Sequence, residues 1–282
     1  MNARSEALPG LVYGMPIEAY HALPSLSCSG MHDLARSPAH YFGLHVDPDR
    51  PPRADKPGQL EGNLAHCAVL EPDAYSDRYT IGPEERRNSK AWGAFAENET
   101  RTIIKRAQHD AAMAQAKSIR ALPDVAQLLS AGHPEVSAFW IDEQTGVPCR
   151  CRPDWVHPTP GGVILVDVKT YGDASPREFS RQIARKGYHR QSAFYSDGYA
   201  AASGLDVLGF VFVAVECAYP FAACAVMLDG ESLERGRAEC RVLIDCYAEC
   251  LRTGQWPGYS DRIEQVSLPA WALSPHNTES IL

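Results

Sequence analysis

The sequence predicts an α/β protein in which a mixed central sheet lies between helical layers. Three observations carry this expectation. Helical periodicity marks Gln59–Leu70 and residues 89–131. Strand-like alternation begins at Glu135 and leads to Val163–Val168 (VILVDV), a run apolar enough to be buried on both faces. Beyond it a helix, two strands and a last helix follow in turn.

Residues 1–57 are rich in Pro, Ser and His and read as a loop-rich N-terminal elaboration. Within it, Ser25–Ser37 holds a short helix capped by Ser29, with Met31, Leu34 and Ala35 on its apolar face. Asp47–Gly58 carries four prolines and reads as a loop. In Gln59–Leu70 the apolar positions Leu60, Leu64, Cys67, Ala68 and Leu70 define a helix, which Glu71-Pro72 stops and which carries His66. Residues 89–131 read as two helices broken near Leu122-Pro123, with no strand. Glu135–Ile141 and Val147–Val156 read as strands joined by the turn Asp142–Gly146, and Gly161-Gly162 turns the chain into Val163–Val168. One helix is expected from Pro176 to about Ala202, with proline in its first turn. Val207–Val215 and Ala222–Leu228 are strands, and Glu231–Arg252 is an amphipathic helix. The expected organisation is one domain, with a core over residues 58–253 and an irregular tail over 254–282.

Composition narrows the function classes. The chain has 282 residues, 45% hydrophobic and 22% charged, as in ordinary globular proteins. No apolar run approaches the roughly 20 residues that cross a bilayer, and the start lacks a secretory pattern, so a cytoplasmic protein with no membrane partner is expected. Nine scattered cysteines, with no C-x-x-C pair, point to reduced thiols and away from zinc or iron–sulfur clusters. Cys240, Cys246 and Cys250 read as small helix residues. The net charge of -8 disfavours nonspecific attraction to nucleic acid, so any nucleic-acid contact requires a local basic surface.

The chemistry concentrates in Pro153-Asp154 and Asp167-Val168-Lys169. Neighbouring strands joined by a glycine turn bring the two aspartates side by side. Two such carboxylates repel unless a cation neutralises them, and a hard divalent ion such as Mg²⁺ prefers carboxylate oxygen. Lys169 points to the same strand face as Asp167, where its ammonium can orient a water or offset charge on a phosphate. The same spacing also suits a plain strand-end salt bridge. Tyr188, Gln191 and Tyr195 share one helical face and can reach phosphates or stack on a base. Between Arg177 and Arg190 there are five basic residues (Arg177, Arg181, Arg185, Lys186, Arg190) and one acid. That stripe, with Arg150 and Arg152 beside Asp154, is a candidate phosphate-contacting surface.

Taken together, these residues resemble the PD-(D/E)XK nuclease superfamily, with Pro153-Asp154 and Asp167-Val168-Lys169 as its signature. More narrowly the chain is similar to the RecE (exodeoxyribonuclease VIII) nuclease domains of phages and prophages. The matching blocks are GNLAHCAVLEP (Gly62–Pro72), EVSAFW (Glu135–Trp140), CRCRPDW (Cys149–Trp155), VDVKT (Val166–Thr170), YHRQSAFY (Tyr188–Tyr195) and WPGY (Trp256–Tyr259). The resemblance implies a restriction-endonuclease-like fold. It implies metal ligation by His66, Glu135, Asp154 and Asp167, a catalytic Lys169, and a Gln191/Tyr195 motif on the helix after the third strand. It also implies a Mg²⁺-dependent exodeoxyribonuclease, with Mn²⁺ able to substitute, that resects duplex DNA ends 5′ to 3′ for recombination. A homotetrameric ring and a RecT-like single-strand annealing partner are further implications. A structure-specific or restriction-type endonuclease and a DNA-binding protein with a decayed site remain the alternatives.

Overall fold

A computed structural model describes residues 9–52 and 57–273. Parts of the expected N-terminal elaboration, of the Asp47–Gly58 loop and of the tail therefore lie outside the described residues.

The described residues begin with strand β1 (Gly10–Val12) and helices α1 (Ile17–Ala22), α2 (Cys28–Arg36) and α3 (Pro38–Tyr41). Residues 9–46 thus hold more regular structure than their composition suggests. Ser27, not Ser29, caps α2, its side chain accepting from the Gly30 N–H. Met31 and Leu34 are buried beneath the helix, whereas Ala35 is exposed. Helix α4 spans Gln59–Leu70 as the periodicity predicts. Next come α5 (Tyr75–Arg78), β2 (Tyr79–Ile81), α6 (Lys90–Ala96), β3 (Thr102–Ile104), α7 (Arg106–Arg120) and α8 (Pro123–Leu128). The β2–β3 pair is parallel, and it corrects the expectation of helices alone over residues 89–131.

The β-rich half contains β4 (His133–Pro134), β5 (Ser137–Ile141), β6 (Pro148–Cys151), β7 (Trp155–Thr159) and β8 (Gly162–Tyr171). The expected strand Val147–Val156 is therefore two strands, with Asp154 in the break between them. Helices α9 (Pro176–Lys186) and α10 (Tyr188–Ser203) replace the single expected helix. Gly187 separates them in a left-handed conformation at φ 69°, which favours glycine. A Cβ there would also run into the Arg190 guanidinium. Strands β9 (Val207–Glu216) and β10 (Ala223–Met227) and helices α11 (Gly230–Thr253) and α12 (Ala270–Leu273) complete the described chain.

The central sheet has five strands in the order β10-β9-β8-β7-β4. Only β8 and β9 are parallel; the other pairs are antiparallel. The sheet is thus mixed, as predicted. Alternation along β8 and β9 separates two cores. Leu165, Phe210 and Phe212 face Phe179, Ile183 and Phe194 of α9 and α10, with α11 behind them. Val166, Val168, Val211 and Val213 face Leu64 and Cys67 of α4 and Ala112, Ala116 and Ile119 of α7. A second sheet, β1-β5-β6, packs into the first core. Asp167 and Lys169 lie on the α10 side of β8, and His66 approaches from the other side. No helix among the described residues is long and apolar enough to cross a membrane.

Candidate metal centre

Asp154 sits just before β7, where the chain passes from the small sheet to the large one. Its Oδ2 accepts the N–H of Val168 at 2.7 Å. The Val168 carbonyl in turn lies 2.8 Å from His66 Nε2 on α4. One residue of β8 therefore fixes both side chains. Because a carbonyl only accepts, Nε2 carries the imidazole proton and Nδ1 is left with a lone pair. Nδ1 lies 3.4 Å from Asp154 Oδ2. Two acceptors facing each other at that distance form a natural seat for a cation.

Glu135 completes the group. Ligand atoms of His66, Glu135 and Asp154 all lie within 4.8 Å of one another. Glu135 is in the connection between β4 and β5, not in a strand, and adopts φ 51°. A glutamate in the left-handed region is strained, and such strain tends to gather at functional sites. The conformation places its backbone N–H 3.0 Å from the Asp154 carbonyl. Its carboxylate accepts from Arg152 Nε at 2.8 Å.

Asp167 stands beside this cluster. It is 2% exposed. Gln191 Nε2 donates to its Oδ1, and Lys169 Nζ lies 2.5 Å from its Oδ2. Lys169 also sits 4.8 Å from the centroid of the Tyr188 ring.

Burial sets the electrostatics. It pushes Asp154 well above the usual carboxylate range, and the Asp167 charge adds to the effect. It also pushes Glu135 up to about 7, assisted by Asp154. His66 is lowered by burial and then by Lys169. Burial opposes the charge on Lys169 as well, but Asp167 and Asp154 outweigh it and hold its pKa above the ordinary value. The acids thus resist ionising until a cation arrives. Two carboxylates and a neutral imidazole fit a hard or borderline divalent ion.

Two grooves flank the centre. Tyr13, Pro16, Asn63, His66, Glu135 and Arg152 contribute to one. Ser29, His32, Lys186, Tyr188, Gln191 and Tyr195 contribute to the other. The Tyr195 ring meets Phe210 edge-on at 6.0 Å.

Four of the expected DNA contacts have partners within the protein. Arg150 is buried and donates to the carbonyls of Tyr20 and Leu23, so its charge anchors the N-terminal segment. Arg152 is spent on Glu135 and the Met15 carbonyl. Arg190 is paired with Glu239 at 3.2 Å, a carboxylate it shares with His189 and Arg235. Tyr188 lies beside Lys169, and its hydroxyl is 2.6 Å from that of Tyr171. Arg177, Arg181, Arg185 and Lys186 are exposed on α9, with Arg181 paired to Glu178 at 2.9 Å. Tyr171 and the Val168 peptide are additions that the sequence reading lacks. Strand alternation from Asp167 through Lys169 places Tyr171 on the same face and is the signal that could have found it.

An acid before one sheet strand and an acid and lysine on the next define the PD-(D/E)XK nuclease fold. Residues 27–269 match the family described as "PDDEXK-like domain of unknown function" (DUF3799), and the chain belongs to that family. No curated protein sequence matches the chain significantly. The crystal structure of a protein from Eubacterium rectale, named as a candidate exonuclease, superposes with a TM-score of 0.57 at 13% identity. That superposition covers 92% of this chain and 95% of the other, and it shows a shared fold. An alkaline exonuclease from Laribacter hongkongensis aligns over 48% of this chain and 68% of its own, at 13% identity and a TM-score of 0.26.

Proposed function

We propose that this protein is a divalent-metal-dependent exodeoxyribonuclease acting on the ends of duplex DNA, with Mg²⁺ as the working ion and Mn²⁺ able to replace it. The observation that carries the proposal is the facing pair of acceptors, His66 Nδ1 and Asp154 Oδ2, beside Glu135 and next to the Asp167–Lys169 pair.

His66, Glu135 and Asp154 would hold the ion. Asp167 would join them through lone pairs that Gln191 and Lys169 leave free, since a carboxylate offers about four acceptor positions. A bound divalent ion supplies Lewis acidity toward a phosphoryl oxygen and lowers the pKa of water. Lys169 keeps its proton at Nζ, orients the attacking water and offsets charge developing on the phosphate. Gln191 holds Asp167 at the correct angle. Tyr195 and Lys186 border the groove that receives the strand, and the exposed arginines of α9 contact phosphates further along.

Resection from 5′ to 3′, a resulting 3′ single strand for recombination, a tetrameric ring, a RecT-like annealing partner and a cytoplasmic, phage-associated role belong to the same reading. Their support is the resemblance to RecE-type nuclease domains. A linear duplex labelled separately at its 5′ and 3′ ends, offered with and without Mg²⁺, tests the proposal. Early release of the 5′ label in Mg²⁺ alone is expected. Cleavage of a covalently closed circle would make the protein an endonuclease, and tight binding without cleavage in either metal would make it a binding protein.

A further inference from the structure

Strand β8 and helix α10 meet through two matched rows of side chains. Asp167, Lys169 and Tyr171 alternate along one face of the strand. Tyr188 and Gln191 lie one turn apart on the helix. Gln191 bonds Asp167, the Tyr188 ring lies 4.8 Å from Lys169 Nζ, and the Tyr188 hydroxyl lies 2.6 Å from the Tyr171 hydroxyl. The ring of Tyr188 is itself fixed. It stacks on Phe212 at 5.7 Å and 27°, and Phe179 packs against it at 6.3 Å. The hydroxyl bond to Tyr171 removes the remaining freedom of rotation.

We propose that Tyr188 is a positioning residue for Lys169, whose ammonium is held between the Asp167 carboxylate and the π face of a ring clamped by Tyr171 and Phe212. The inference rests on the assignment of Lys169 to the attacking water. The physical need is clear. Lys169 has a long flexible stem, and Asp167 alone would draw its ammonium into an ion pair. A ring face adds a second, softer attraction from another direction, so that the ammonium occupies one place and still has an N–H free for water. Tyr188 therefore acts through Lys169, and Tyr171 acts through the Tyr188 hydroxyl.

The test separates the ring from the hydroxyl. Tyr188→Phe keeps the π face and should keep turnover within about threefold. Tyr188→Leu removes the face and should lower kcat about tenfold, the scale of one cation–π contact, with the Kd for duplex DNA unchanged. A series of fluorinated phenylalanines at position 188 alters the face with little change in size and guards against a folding defect in the leucine variant. Turnover should fall stepwise with each fluorine.

A second measurement does not depend on hydrolysis. The ε-methylene protons of Lys169 should show an upfield ring-current shift in the wild type and in Tyr188→Phe, and lose it in Tyr188→Leu. No ring-current shift in the wild type, or turnover indifferent to fluorination, overturns the proposal. Loss of DNA affinity in Tyr188→Phe would make the hydroxyl a DNA contact and also overturn it. A wild type that hydrolyses nothing yet shows the shift would sink the nuclease assignment while leaving the placement of Lys169 intact.

Discussion

The backbone N–H of Glu135 donates to the carbonyl of Asp154 across 3.0 Å. Two acidic side chains that repel are thus tied together by their main chains, and the left-handed φ of Glu135 is the strain that accompanies the tie. Neutral isosteres test this centre. Asp154→Asn should lower turnover at least about a hundredfold, because the remaining donors hold the ion poorly. Its Oδ atom can still accept from Val168, so the melting temperature in EDTA should be unchanged or higher, as burial of a charge is relieved. Near-normal turnover in Mg²⁺ would refute the ligand assignment.

Asp167 calls for a different pair of variants. Its carboxylate is buried against Lys169 and Gln191. Asp167→Ala strands a largely buried ammonium, and breaking a pair in that way costs about 3 kcal/mol or more. Asp167→Asn keeps the shape and one acceptor oxygen for Gln191, but turns an amide NH2 toward Lys169. Both variants should lose turnover and unfold at lower denaturant than the wild type, because both leave the ammonium without a carboxylate. Wild-type stability in either would mean that Lys169 finds water once Asp167 is removed.

The metal-free protein should respond to pH in an inverted way at this site. Burial raises the Glu135 pKa from 4.5 to about 7, so the folded state holds a proton that the unfolded chain has released. Stability from this group is present below pH 4.5 and is lost as pH rises toward 7. A bound divalent ion takes the place of that proton. The rise in melting temperature on adding Mg²⁺ should therefore be larger at pH 7.5 than at pH 5.5. An equal rise at both values would separate Glu135 from the ion.

Two sets of arginines should behave oppositely. Charge reversal at Arg181 and Arg185 on the exposed face of α9 should weaken DNA binding. It should also reduce the salt slope by roughly one unit for each phosphate that is no longer neutralised. Arg185 should account for more of the change, because Arg181 already pairs with Glu178. Arg150→Met should leave the salt slope untouched and lower stability, since two carbonyls lose their donor. A salt slope that moves with Arg150 and not with α9 would reverse this assignment.

Asp167 and Lys169 are legible in the sequence because strand alternation dictates which side chains share a face; Asp154 and Glu135 lie outside the strands, and Glu135 comes only from the family resemblance. Helix α4 is equally clear, since its apolar positions recur over three turns. The break at Gly187 is hidden. Helical residues continue on both sides, and a lone glycine within a helix is tolerated. Strands β2 and β3 have three residues each, too few to display a period. The arginines mislead for a tertiary reason. Arg150 and Arg152 read as surface charges in a strand, yet their partners Tyr20 and Met15 stand 130 and 137 positions earlier in the chain. Local pattern carries no information at that range.

That same reach has a consequence for biogenesis. The centre draws one donor from α4, one from the connection into the small sheet and one from the link that leads into β7, and its arginine brace ends on the carbonyl of Met15. Loops this long close slowly, after local elements have formed. A chain that has emerged only as far as Arg152, or one partly melted, would lack at least one of these pieces. A nascent nuclease assembled in this way is inert until its most distant segments have met, and hydrogen exchange at the Val168 amide should report the moment when cutting becomes available.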